Sequence, residues 1–283
     1  MKKLLFIPLA LSTVFVSAQS LSRKAVFAKG QQLERVAAVK MNFSMEMMGQ
    51  AISFDNNNTI TSLVEVKNAT AKDYAIESTV KRVVMSMSGM GQEMNYDSDK
   101  KEETTNEMTK KMKEMVGKVS HLTVDTKGII VASDDTSNAG EKADGFMGMA
   151  NSFANTGHKP GKNYDLVADL PEKAVKAGDT WADSSVSKEG KTTTNYKVLE
   201  VKGAEAIVDL DGTMTQSGET EANGMTVNLS INGKIKGQYT MDVASGIIKK
   251  RIATMDATGT MDMAGQSIPF TMKVTMDEGI ARK

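Results

Sequence analysis

The residues able to do chemistry are few. The 283-residue chain has no cysteine and two histidines, His121 and His158. Thiol catalysis, thiolate metal sites and disulfides are therefore excluded. Methionine is in surplus, 22 residues against 8 Phe and one Trp. Met-x-Met spacing recurs at Met45/Met47, Met85/Met87, Met147/Met149 and Met261/Met263. On a strand that spacing puts two thioethers on one face, and thioethers are soft ligands that suit copper(I). The spacing has a plainer use as well. Methionine alternating with polar residues fills a core, or lines a pocket that accepts varied apolar shapes. The alternation with polar residues favours the second use, so no cofactor and no resident metal is expected.

The carboxylates form no recognisable ligand set. Asp209-Leu210-Asp211-Gly212 and the group Asp134, Asp135, Glu141 and Asp144 lack EF-hand spacing and read as solvated turns. There is no Gly-x-Ser-x-Gly elbow, no His-Glu-x-x-His and no Gly-rich phosphate loop. His121 precedes the strand-like Leu122-Thr123-Val124, and His158 sits in a Gly/Lys/Pro loop. An enzyme would need carboxylates brought together by the fold, and the expectation is that the chain is not one.

These residues must be positioned mainly by strands. Met41, Phe43, Met45 and Met47 alternate with polar residues, as do Met225 to Ile231, Ile235 to Met241 and Ile268 to Met276. Period-two alternation is the signature of a half-buried strand, and the short spacings between runs, broken by Gly or Asn, suit a meander of hairpins. Around 101–119 the pattern changes. This stretch is rich in Glu, Lys and Met, with Met108, Met112, Met115, Val116 and Val119 at helical spacing and a capping box at Thr104/Glu107. A second, short helix is expected at about 140–155, within a Gly/Ser/Asn/Asp-rich connection.

The fold class expected is mainly β with minor α: two related antiparallel meander units, as a curved sheet or half-barrel, with a helical insert around 101–119. The divisions are a signal peptide at 1–18, a first β unit at 19–132, a connection at 133–163 and a second β unit at 164–283. The leader has a positive start at Lys2-Lys3, an apolar run from Leu4 to Val16, and small residues at Val16-Ser17-Ala18. A mainly apolar run of thirteen residues is too short to span a bilayer, so the chain is expected to be exported to the periplasm or exterior with no membrane span. Basic and acidic residues balance at 35 each. Removing Lys2 and Lys3 with the leader leaves a charge of about −2, which offers nothing to a nucleic acid.

Internal resemblance supports the two units. Met45–Phe54 aligns without gaps on Met261–Phe270 with six identities, and Met87–Tyr96 is a weaker third copy. Gly49, Gly91 and Gly265 mark the turns. Glu65–Ala69 matches Glu200–Ala204, placing hairpin turns at Asn68 and Gly203. Asp125–Ile130 matches Asp242–Ile248 with one extra residue.

The leader ending Val16-Ser17-Ala18-Gln19, the entry Leu170-Pro171…Gly178-Asp179-Thr180-Trp181 and the turn Asp242…Gly246-Ile247-Ile248 occur in order. On them the chain resembles a family of secreted β-rich proteins common in Bacteroidetes, to which no activity is assigned. At fold level it also resembles LolA-type lipoprotein carriers, half-barrels that wrap an apolar cavity. That resemblance implies an apolar partner, a lipid or lipoprotein acyl chain. The expected function is a non-catalytic exported binder of such a ligand. Met45, Met47, Met87, Met112, Met115, Met261, Met263 and Phe270 are its lining. The alternatives are an envelope interaction or scaffold protein with a protein partner, and a copper(I)-binding Met-rich protein.

Overall fold

The computed structural model describes residues 20–47, 49–100, 107–134, 158–188, 190–222, 225–263 and 265–283. In chain order the elements are β1 (Gln32–Met47), β2 (Gln50–Ala69), β3 (Asp73–Gly89), β4 (Gln92–Asp97), α1 (Glu107–Met115), β5 (Val119–Asp125) and β6 (Ile130–Ser133). There follow β7 (Thr180–Val186), β8 (Gly190–Lys202), β9 (Glu205–Ala222), β10 (Met225–Asp242), β11 (Ile248–Met263) and β12 (Gln266–Arg282).

All twelve strands belong to one antiparallel sheet in the order β6-β5-β3-β2-β1-β12-β11-β10-β9-β8-β7, with β4 pairing β3 off this path. The halves β1–β6 and β7–β12 are thus joined edge to edge. The seam is the pairing of β1 with β12, from Leu33↔Arg282 to Met45↔Phe270. One face alternates apolar and the other polar, as the sequence predicts. The polar face carries Thr, Ser, Asn, Lys and Asp along its strands, not the apolar band of a lipid-embedded barrel. Among the described residues no helix is long and apolar enough to cross a membrane.

The turns at Gly49, Gly91, Gly203 and Gly265 have positive φ, as expected. Two expected turns are absent. The spacing Asn232-Gly233-Lys234 does not break the chain, because β10 runs straight through it. Gly233 lies on the apolar face, where a Cβ would approach the Met255 Sδ to 3.2 Å. Its role is to leave room for a thioether. Asn68 is not a turn residue either. It sits inside β2 at a bulge between Val66 and Asn68, and the reversal comes at Thr70, whose hydroxyl accepts the Lys72 and Asp73 amides. The helix is shorter than its stripe. Gly117, at φ 82° beyond the last turn, donates its amide to the Val80 carbonyl, and Val119 opens β5. Met108, Met112, Met115 and Val116 pack α1 against Val83, Met85 and Tyr96. Thr104 and the expected helix at 140–155 lie outside the described residues.

The two ends of the strands differ. At one end the sheet wraps a core completed by non-strand chain: Leu21, Ala25 and Phe27 from the first segment, and Tyr164, Leu166, Val167, Leu170 and Val175 from 158–179. One extra residue on β2 (Lys67), β6 (Val131), β8 (Leu199) and β11 (Lys249) bulges the strand at this end, where it bends the strand and increases the twist around the plug. The matched turns at Asp125 and Asp242 grip it in the same way. Each aspartate accepts amides within its own turn, and the turns take the Ala25 and Val26 amides on Thr126 and Ser245. Toward the hairpin tips the apolar face forms a second cluster of Met41, Phe43, Met214, Ile231, Met255, Ala257, Phe270, Met272 and Val274.

Candidate functional site

Three places on this sheet hold the residues of interest. The first is ionic. Where the 158–170 segment crosses the apolar face, the Arg35 guanidinium lies 2.6 Å from Glu278 Oε1 and 2.8 Å from Asp165 Oδ2. Arg251 Nη1 lies 3.1 Å from Glu278 Oε2, an ion pair outside hydrogen-bond alignment, and Arg251 Nη2 donates to the Asp165 carbonyl at 2.8 Å. His158 Nε2 is 3.3 Å from Asp165 Oδ1. Glu278 is 0% exposed. Burial alone would raise the Asp165 carboxyl, but Arg35, the His158 hydrogen bond and Arg251 outweigh it and hold it below the usual carboxylate range. Burial pushes the Tyr164 hydroxyl up. Two guanidinium groups thus face two carboxylates. The network pins the plug to β1, β11 and β12. Among the described residues no group of His, Asp and Glu could hold a metal ion.

The second place is the methionine face. Met45 and Phe270 are register partners on β1 and β12. Phe270 is buried, its ring filling the space over Gly259, and Met45 and Met261 pack half-buried on the same cluster. Met263, paired with Val227 and Gln266, and Met87, paired with Asn56 and Met94, are half-buried farther out. Met47 ends β1. Met112 and Met115 belong to the α1 cluster and do not join the others. The fold therefore brings Met45, Met261 and Phe270 together and keeps the helical pair apart. Met41, Met85, Met241, Met255 and Met272 are the more deeply buried methionines. The period-two pattern reaches them, but only the register shows their depth. Of the Met-x-Met pairs, Met147/Met149 lies outside the described residues.

The third place was not legible in the sequence. A recess of about 840 Å³ crosses six strands at the level of the row Phe43–Met272–Ala257–Gly233–Met214, successive register partners on β1, β12, β11, β10 and β9. Those five residues are buried, while their chain neighbours are exposed and point to the opposite face. On β2, Ser53 and Asp55 line the recess and Phe54 between them does not. The recess therefore opens on the polar face, floored by the backbone of the buried row. One wall is the row Asp55, Asn42, Lys273, Asp256, Lys234 and Thr213; the other is Ser53, Ser44, Thr271, Thr258, Asn232 and Thr215. None of the eight methionine-face and helix residues expected from the sequence lines it.

Comparison with known proteins places the chain. The model of the family of unknown function DUF6263 matches residues 71–155 and 164–248, more than half of the sequence and once in each half of the sheet. The chain belongs to that family. No curated protein matches it. Among solved structures it is similar to one described as lipid–protein interactions in lipovitellin, at 10% identity and TM-score 0.48, covering 90% of this chain and 26% of that one. The chain thus spans about a quarter of that protein. An outer membrane channel from Pseudomonas putida F1 is similar at 8% identity and TM-score 0.26, covering 91% of this chain and 98% of the other.

Proposed function

We propose that this DUF6263 member is a non-catalytic exported protein that binds an apolar ligand, a lipid or acyl chain, at the hairpin-tip end of its methionine face. The observation that carries this reading is a group of partly exposed thioethers at the tip end of the apolar face, set around the buried Val227, Ile268 and Phe270. At mid-strand Met41, Phe43 and Met272 are 2–3% exposed. Toward the tips Met45, Leu229, Met261 and Met263 are half-buried, so a partly exposed apolar lip lies there. Unbranched thioethers adapt to an acyl chain at small cost in fit. At roughly 25 cal/mol per Å² of apolar surface removed from water, covering such a lip stabilises a complex without any charged contact. Export by the leader, with cleavage before Gln19, supplies the setting in which a lipid carrier is useful.

The experiment is lipid extraction and mass spectrometry on the protein purified from its native host. It is paired with titration of an environment-sensitive fluorescent naphthylamine into the mature chain. A co-purifying lipid, and probe binding weakened at least tenfold in Met45→Glu with Met261→Glu, is the expected result. Protein free of lipid whose probe binding is untouched by the two substitutions refutes it. A second reading, an envelope interaction protein, is favoured by β7. This strand ends the sheet with Ala182 to Val186 exposed and one backbone edge unpaired among the described residues. It predicts a partner recovered by cross-linking in cells and lost on Ser184→Pro.

A further inference from the structure

We propose that the recess on the polar face is a second binding site, separate from the methionine lip, and that it takes a neutral, hydroxyl-rich chain: a glycan lying across the strands. The sheet register carries the argument. Six strands contribute one residue each to two parallel walls, so polar groups repeat at the strand spacing of about 4.8 Å along a recess of roughly 24 Å. A β-linked pyranose chain advances by a similar step per sugar, so about five linked sugars would each meet one rung.

The chemistry of the walls selects among polar polymers. One wall alternates Asp55, Lys273, Asp256 and Lys234. Two negative and two positive side chains sum to zero, so the wall offers a polyanion repulsion at Asp55 and Asp256 and a polycation repulsion at Lys273 and Lys234. Asp55 accepts a hydrogen bond from Asn42. Among the described residues, however, Lys273, Asp256 and Lys234 take part in no ion pair, although they are cross-strand neighbours. Their donors and acceptors face the recess unspent. The other wall is hydroxyl and amide, with Thr271, Thr258 and Asn232 at its centre, and such groups both donate and accept. That is what a ring of sugar hydroxyls requires. Phe43, the one aromatic residue among the lining, turns its ring to the opposite face. Recognition therefore rests on hydrogen bonds, not on stacking.

The test is titration of the mature chain with cellohexaose and with chitohexaose, read by calorimetry and by backbone amide shifts. Cellobiose and heparin serve as the short and polyanionic comparisons. Binding of either hexasaccharide, at least tenfold tighter than cellobiose and with shifts confined to the two walls, is expected. Thr258→Val with Asn232→Leu, exposed positions whose replacement leaves the thermal melt unchanged, should weaken it at least tenfold. Met45→Glu with Met261→Glu should leave it intact, which keeps this site distinguishable from the methionine lip. No binding of either hexasaccharide, binding indifferent to the wall substitutions, or heparin occupying the walls in their place would each overturn the proposal.

Discussion

Replacing Glu278 by Gln removes a charge that has no access to water from a network whose other members are partly exposed. Glu278 is fully buried and neutralises Arg35 at 2.6 Å and Arg251 at 3.1 Å. In Glu278→Gln two guanidinium groups share the single carboxylate of Asp165, and one largely buried positive charge is uncompensated. Breaking a buried pair from one side costs about 3–5 kcal/mol. At roughly 2–4 °C per kcal/mol for a chain of this size, the midpoint of thermal unfolding should fall by about 6–20 °C. The double variant Arg35→Met with Glu278→Met supplies the control. It leaves Arg251 with Asp165 and fills the volume with apolar atoms, a change that is often nearly neutral. With the parent and the singles Arg35→Met and Glu278→Met it closes a cycle of four proteins, measured by circular dichroism in urea and on heating. The double variant should be markedly more stable than the sum of its singles predicts, because the two residues share partners. A Glu278→Gln cost within the ±0.5 kcal/mol typical of surface changes, or strict additivity around the cycle, would refute the view that this network pins the plug.

Two further outcomes follow from the same end of the sheet. The Asp165 carboxyl is held below its usual range, so it binds fewer protons folded than unfolded near pH 4. Its contribution to stability is complete above the unfolded carboxylate value of about 3.9 and is lost as pH falls toward the folded value. Urea midpoints should therefore be flat for this group from pH 7 to about 5 and fall below that, and Asp165→Asn should flatten the acid limb; an unchanged limb would count against the assignment. Gly246 has φ 76°, and a Cβ there would lie 2.0 Å from the Lys24 carbonyl oxygen. Gly246→Ala should cost on the order of 1–3 kcal/mol and speed proteolysis of the first segment, which mass spectrometry of timed digests would show. A variant as resistant as the parent would mean that the segment is not held by this turn.

Much of the architecture was legible because a strand advertises itself locally. Alternation at Met41–Met47 and Ile268–Met276 needs only neighbours two residues apart, and Gly49, Gly91 and Gly265 need only the conformational freedom of their own backbone. The helix was legible from its stripe but not its end, since Gly117 is fixed by a bond to Val80 on another strand. The turns expected at Asn232-Gly233 and at Asn68 failed for a related reason. Turn chemistry is a local preference, and the pairing of β10 with both neighbours, and of β2 with β3, overrides it.

By itself the sequence determined which side chains share a face, because the side-chain period of a strand is a property of the chain. It also determined the absence of thiol chemistry and the dominance of thioethers. Only the tertiary structure decided that the two halves make one sheet, since the β1–β12 seam joins residues more than two hundred positions apart. The same long-range register gathered Arg35, Asp165, Arg251 and Glu278 into one buried network, and lined up Asp55, Lys273, Asp256 and Lys234 across four strands. Residues that meet only when strands pair leave no trace in the spacing of either strand alone.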